Sequence, residues 1–269
     1  MPMPDELASL DGQVAPAGET MIPVTEEGFL RGDGVFEVLR VYDGVPFALD
    51  EHLTRLERST KNLRLGWSAR RDELEPDVAR LLEARGGSDF DGCLRIVLTR
   101  GGRRLLITEP LPATPEHARL AFVTYAPTRI LDGVKSLSYA GNMLATRCAK
   151  ERGFDEALLV TPHGRVLEAP TSTIFWCTGD GVLATPPLEE HILASITRAH
   201  VIEATGAEER VCTEDDLREA SEAFLASTTR EVQPVSAIED IELAAPGERT
   251  KEAAAGLRAR IQEALATGS

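Results

Sequence analysis

The chain has 269 residues, 42% of them hydrophobic, which is enough to bury a substantial core divided between two units of ordinary size. Its 44 acidic residues outweigh 29 basic ones, giving a formal charge of −15 with no basic run, so nucleic acid and anionic membrane surfaces are not expected as partners; both need a positive face. No window approaches the ~18 apolar residues of a membrane span and the first residues, MPMPDELASLDG, lack a signal pattern, so a soluble cytoplasmic protein is expected. Cys93, Cys148, Cys177 and Cys212 are scattered without a CxxC, and the histidines show neither HxH nor HExxH spacing, which reads as reduced thiols and no metal.

In chain order, residues 1–20 are rich in Pro, Gly and Ala and read as a loose lead-in to an N-terminal α+β domain over 21–124. The glycines of Thr25–Gly34 allow backbone conformations that other residues resist. Two strands, Val35–Tyr42 and Val45–Leu49, flank Asp43-Gly44, a hairpin signal. Asp50 is the expected N-cap of a helix carrying Leu53, Leu56, Leu63 and Leu65 on its apolar side, and a second helix covers Arg71–Arg85 before Gly86-Gly87. Strands Cys93–Thr99 and Leu105–Thr108 form another hairpin, and Pro110, Pro112 and Pro115 break the chain before Arg119–Tyr125. A linker at 125–134 then leads to a second domain over 135–269. There, helical and strand patterns alternate: a helix from Asn142, strands at Asp155–Val160, Thr173–Thr178 and Ala223–Ser227, and helices opening at Ile196 and Glu214.

Only four lysines occur: Lys61, Lys135, Lys150 and Lys251. Three sit in polar, helix-like surroundings where a solvated ammonium is the ordinary reading. Lys135 differs, because it follows Asp132-Gly133 and opens a Val-Lys-Ser-Leu-Ser-Tyr alternation that reads as a strand end. A lysine held at a strand edge above an apolar layer can lose its proton and attack a carbonyl, although the same pattern also suits a strand-edge lysine with its head in water.

Six segments decide between these, because they occur in one order: RGDGVFEVLRVYDG, EHLTRL, VKSLSY, DEALLVTPHGRVLEAPTSTIFW, ILASITR and ASTTREVQPV. Over residues 25–240 the chain resembles the class IV aminotransferases, the fold type IV pyridoxal-phosphate enzymes. The resemblance implies a two-domain α+β fold with the cofactor, pyridoxal 5'-phosphate, in the cleft between domains, and a homodimer. It makes Lys135 the catalytic lysine that carries the cofactor as a Schiff base, and Glu168 the carboxylate beside the ring nitrogen. Arg55, the helix start Ile196-Thr197 and Thr228 match phosphate ligands, and Leu193 a residue packed on the ring. Phe36, Val38 and Thr229 match substrate-pocket positions, with Arg103 or Arg104 as candidates for the substrate carboxylate. The implied activity is transfer of an amino group from a small amino acid, of D-configuration by its Gly34–Gly44 segment, to an α-keto acid. Aminodeoxychorismate lyase is the alternative, and branched-chain L-amino-acid transfer is less favoured. Two departures stand out: Glu168-Ala-Pro-Thr-Ser-Thr where the family writes Glu-Gly-Ser-Ser-Ser-Asn, and Ser195 in place of a glycine.

Overall fold

The computed structural model describes residues 6–67 and 70–267, so the first five residues of the expected lead-in lie outside it. The chain divides into two units: the first comprises the residues up to Pro112, a return segment Gly133–Tyr139 and the last residues from Glu263, and the second comprises Ala113–Asp132 and Ala140–Gln262.

In the first unit the elements are β1 (Leu7–Leu10), β2 (Gln13–Pro16), α1 (Glu27–Arg31), β3 (Gly34–Tyr42), β4 (Val45–Pro46), α2 (Leu49–Asn62), α3 (Arg71–Arg85), β5 (Gly92–Thr99) and β6 (Arg104–Glu109). They form a six-stranded sheet in the order β2-β1-β6-β5-β3-β4, antiparallel throughout. The expected loose lead-in is therefore partly a hairpin. Asp11-Gly12, both at positive φ, is the same turn chemistry as Asp43-Gly44 and folds β2 back on β1, whose other edge pairs with β6. Strand parity sorts the sheet's side chains. Val35, Leu39 and Val41 join Leu94, Ile96, Leu98 and Leu106 in a core with Leu53 and Leu56 of α2 and Leu74, Val78 and Leu81 of α3, so one face carries both helices. Phe36, Val38, Arg95 and Val97 share the other face. Helix α2 begins after Ala48, which adopts the left-handed conformation and makes no side-chain cap; Asp50 lies inside the first turn instead of capping it.

The second unit contains β7 (Ala118–Thr124), α4 (Ala140–Glu151), β8 (Glu156–Val160), β9 (Arg165–Val166), β10 (Thr173–Cys177), β11 (Leu183–Thr185), α5 (Ile196–Thr205), β12 (Glu208–Glu209), β13 (Cys212–Thr213), α6 (Glu214–Arg218), β14 (Ala223–Ser227), β15 (Glu231–Ile238), β16 (Ile241–Glu242) and, up to Gln262, α7 (Glu248–Thr267). Its sheet runs β12-β11-β10-β14-β15-β7-β8-β9-β13, with β16 on β15. The boundary thus falls before β7, not at 124, because β7 pairs in parallel with both β15 and β8. Strands β8, β10 and β14 are buried at every position, as expected for strands covered on both faces. No described helix is long and apolar enough to cross a membrane.

Candidate functional site

In the first unit the return segment closes the open edge of β3. Lys135 O accepts from Phe36 N at 3.0 Å, Leu137 N donates to Gly34 O at 2.9 Å, and Val35 and Ser136 form an isolated bridge, so the expected strand end is one bridge long. Lys135 N donates to Ser59 Oγ of α2 at 3.2 Å, and Val134 packs on the core. Close approach here depends on Gly34, where a Cβ would lie 2.6 Å from Leu137 Cδ1 and from Leu98 O. The amine so placed lies over the ring of Phe36, 4.5 Å from its centroid, and 6.0 Å from that of Tyr139; the two rings meet edge to face at 5.3 Å.

Beneath this edge lies a buried polar group. Arg55 donates through Nε to Glu37 Oε1 at 2.7 Å and through Nη2 to Oε2 at 2.5 Å, and His52 Nδ1 lies 2.8 Å from Glu37 Oε2. Glu37 is 0%, His52 1% and Arg55 6% exposed. Burial works against the Glu37 charge, but the hydrogen bonds from Arg55 and His52, with their charges, hold its pKa down to about 2. Burial pushes the His52 pKa below its ordinary value, and the charges of Arg55 and Lys135 push the same way against the pull of Glu37. Glu37 and His52 are absent from the residues named from sequence. The signal was present: Glu37 falls in the row of Val35, Leu39 and Val41, and a carboxylate in an apolar row requires a partner.

The loop arginines go elsewhere. Arg103 Nη1 pairs with Asp11 at 2.7 Å. Arg104 bonds buried Asp77 at 2.5 Å and Glu73 at 2.8 Å on α3, which puts it on the helix-covered face, opposite to Phe36. The structure therefore does not bring Arg104 to Lys135. The arginine that does share the Phe36 face is Arg95, opposite Val38; its guanidinium carbon lies 5.7 Å from the Phe36 centroid and its Nη2 2.8 Å from Glu109.

In the second unit, Glu168 ends the stretch after β9, and its Oε1 accepts from Leu193 N at 3.2 Å. Tyr125 lies near enough for the Glu168 charge to add to burial in raising its pKa. The unusual Ala169–Ser172 sequence is a tight turn: Ala169 N donates to Ser172 O at 2.9 Å across Pro170-Thr171, and Asn142 Nδ2 donates to Pro170 O at 3.0 Å. At the start of α5, Ser195 accepts from Arg198 N as N-cap, so the serine standing where a glycine was expected caps the third N–H and leaves those of Ile196 and Thr197 uncapped by it. Thr228 and Thr229 form the turn between β14 and β15. Arg230 fastens that turn by pairing with Glu156 and reaching Thr171 Oγ1 at 3.4 Å.

Each unit by itself carries groups of the kind a phosphorylated aldehyde of the pyridoxal type needs: in the first a placed amine and a buried arginine, in the second an anchored carboxylate and a helix N-terminus. The buried hydroxyls of Ser172, Thr173 and Ser227, next to the Thr228 turn, have no hydrogen-bond partner among the described residues, as expected where an added group supplies one.

Comparison with known proteins agrees. The sequence model for class IV amino-transferases matches residues 34–238. The chain is 34% identical over 253 residues to a putative branched-chain-amino-acid aminotransferase of Methanocaldococcus jannaschii, covering 86% of this chain and 87% of that one. It is 29% identical to a D-alanine aminotransferase of Bacillus licheniformis, covering 93% and 95%. Its structure superimposes on a fold IV transaminase from Curtobacterium pusillum with a TM-score of 0.84 and 28% identity, over 95% of this chain and 99% of that one.

Proposed function

Because the chain belongs to the class IV aminotransferase family, which is pyridoxal-phosphate-dependent and of fold type IV, we propose that it moves an amino group from a small D-amino acid to an α-keto acid. The observation that carries the reading is the placement of the Lys135 amine over Phe36 by the return segment. When bound, the cofactor supplies the electron sink for ionisation at the substrate Cα.

This chain's residues supply the rest. Lys135 Nζ holds the cofactor, and once the substrate amine displaces it, takes the proton from the substrate Cα and returns it as an acid. Glu168, steadied by Leu193 N–H, is the carboxylate for a protonated ring nitrogen. Arg55, the N–H groups of Ile196 and Thr197, and the Thr228 hydroxyl take the phosphate, and Leu193 packs on the ring. Phe36, Val38 and Tyr139 keep the pocket small. Arg95, on the Phe36 face, takes the substrate carboxylate in place of Arg103 or Arg104, and Thr229 is a further substrate-binding residue. The D-configuration is supported by the Gly34–Gly44 segment and by the relative named a D-alanine aminotransferase. The working form is a cytoplasmic homodimer.

The test is the visible absorbance of the purified protein with pyridoxal phosphate, before and after D-alanine, D-glutamate and L-leucine. Loss of the lysine-bound band with a D-amino acid supports the proposal. A response to L-leucine alone moves the assignment to branched-chain substrates. If none responds but aminodeoxychorismate yields pyruvate, the protein is a lyase, and no band at all overturns the role of Lys135.

A further inference from the structure

The Glu37–Arg55–His52 group raises a question of charge. Glu37 meets Arg55 through two hydrogen bonds, at 2.7 and 2.5 Å, so the guanidinium already has its counter-ion inside the protein. Arg55 with Glu37 sums to zero. A phosphate dianion added at Arg55 would leave two uncompensated negative charges beside a carboxylate with no solvent around it, which a low-dielectric interior opposes strongly.

His52 is the group in contact that can answer this. An ionised carboxylate only accepts hydrogen bonds, so the ring nitrogen 2.8 Å from Glu37, Nδ1, carries the hydrogen, and Nε2 is the position open to a second proton. The charged groups bearing on the ring are Glu37 of β3, Arg55 one turn on along α2, and Lys135 of the return segment. In the protein alone, burial together with Arg55 and Lys135 outweighs Glu37, and the imidazole stays neutral. A dianion at Arg55, with the Lys135 amine engaged, reverses the sign of the field at the ring.

We propose that His52 takes up a proton when Arg55 binds a phosphate dianion, so that cofactor loading is a proton-coupled step and the phosphate-binding unit is Glu37, Arg55 and His52 together. This rests on the function proposed above for its identification of Arg55 as a phosphate ligand. The sign follows from linkage: the bound form holds more protons, so affinity weakens as pH rises across neutrality, with a slope approaching about tenfold per pH unit.

The experiment uses calorimetric titration of the apoprotein with pyridoxal phosphate in buffers of different ionisation enthalpy, which counts protons taken up. It compares wild type with His52→Asn, whose amide nitrogen keeps the donor to Glu37 but cannot titrate. Expected is uptake larger in wild type than in His52→Asn by about one proton, and a flatter pH dependence of affinity in the variant. Equal uptake in both, or none in wild type, overturns the inference. Should His52→Asn fail to fold, wild type titrated with pyridoxal, which forms the same bond to lysine but lacks phosphate, decides: uptake must be about one proton smaller than with pyridoxal phosphate, and equal uptake with the two overturns the inference. Failure of pyridoxal phosphate to bind wild type overturns the proposed function as well, which separates the two results.

Discussion

The two units place polar groups by different means. In the first, Glu37, His52 and Arg55 are side chains taken from water and held by one another. In the second, Glu168 is held by the Leu193 N–H, and the start of α5 is fixed by its own backbone and the Ser195 cap. A buried charge needs its counter-charge built in, so one substitution orphans a partner. Backbone donors arrive with the helix and tolerate a change of side chain, as at Ser195, where the sequence reading expects glycine.

The largest way to break this contrast is at the amine. Lys135→Ala should lower amino transfer by on the order of 10⁴-fold in a keto-acid assay, while the melting temperature stays near wild type because the segment's anchors are backbone atoms. Next is Glu37→Gln, which leaves the Arg55 charge buried against an amide and should cost about 3–5 kcal/mol in urea unfolding. Its pH dependence sharpens the point. Glu37 is held to about 2 in the folded protein, so its contribution is present above the unfolded carboxyl value and is lost as pH falls toward 2. The gap between wild type and variant should therefore close on acidification. The smallest effect is expected at Ser195→Ala, which removes one cap hydrogen bond and should cost about 0.5–2 kcal/mol of stability, with retained activity. Loss of activity there comparable to Lys135→Ala would break the comparison.

What could be read from the sequence follows from the range of the forces involved. Helix α3 and the β3–β4 turn are local, marked by Gly86-Gly87 and Asp43-Gly44, and both stand as expected. Lys135 stood out because the other three lysines had ordinary solvated settings, and its neighbours do meet β3. The identical Asp11-Gly12 signal was passed over because the strands around it are four residues long and rely on β6, far along the chain, for their pairing. Strand β7 was put in the wrong unit for the same reason: its partners β15 and β8 are parallel and carry no local turn to announce them. Arg104 was legible in principle. Pairing with Leu98 puts it on the face of Val35, opposite to Phe36, but that parity exists only once the hairpin register is known.

The path of the chain has one more consequence. The first sheet's strands are all made by Glu109, yet the residues that close its β3 edge come only after β7, as the excursion Gly133–Tyr139. On the ribosome, the sheet, its two helices and the buried Glu37–Arg55 pair can assemble before the reactive amine has been synthesised. The nucleophile is thus among the last parts of that edge to be synthesised, and it arrives at a strand that already carries Phe36.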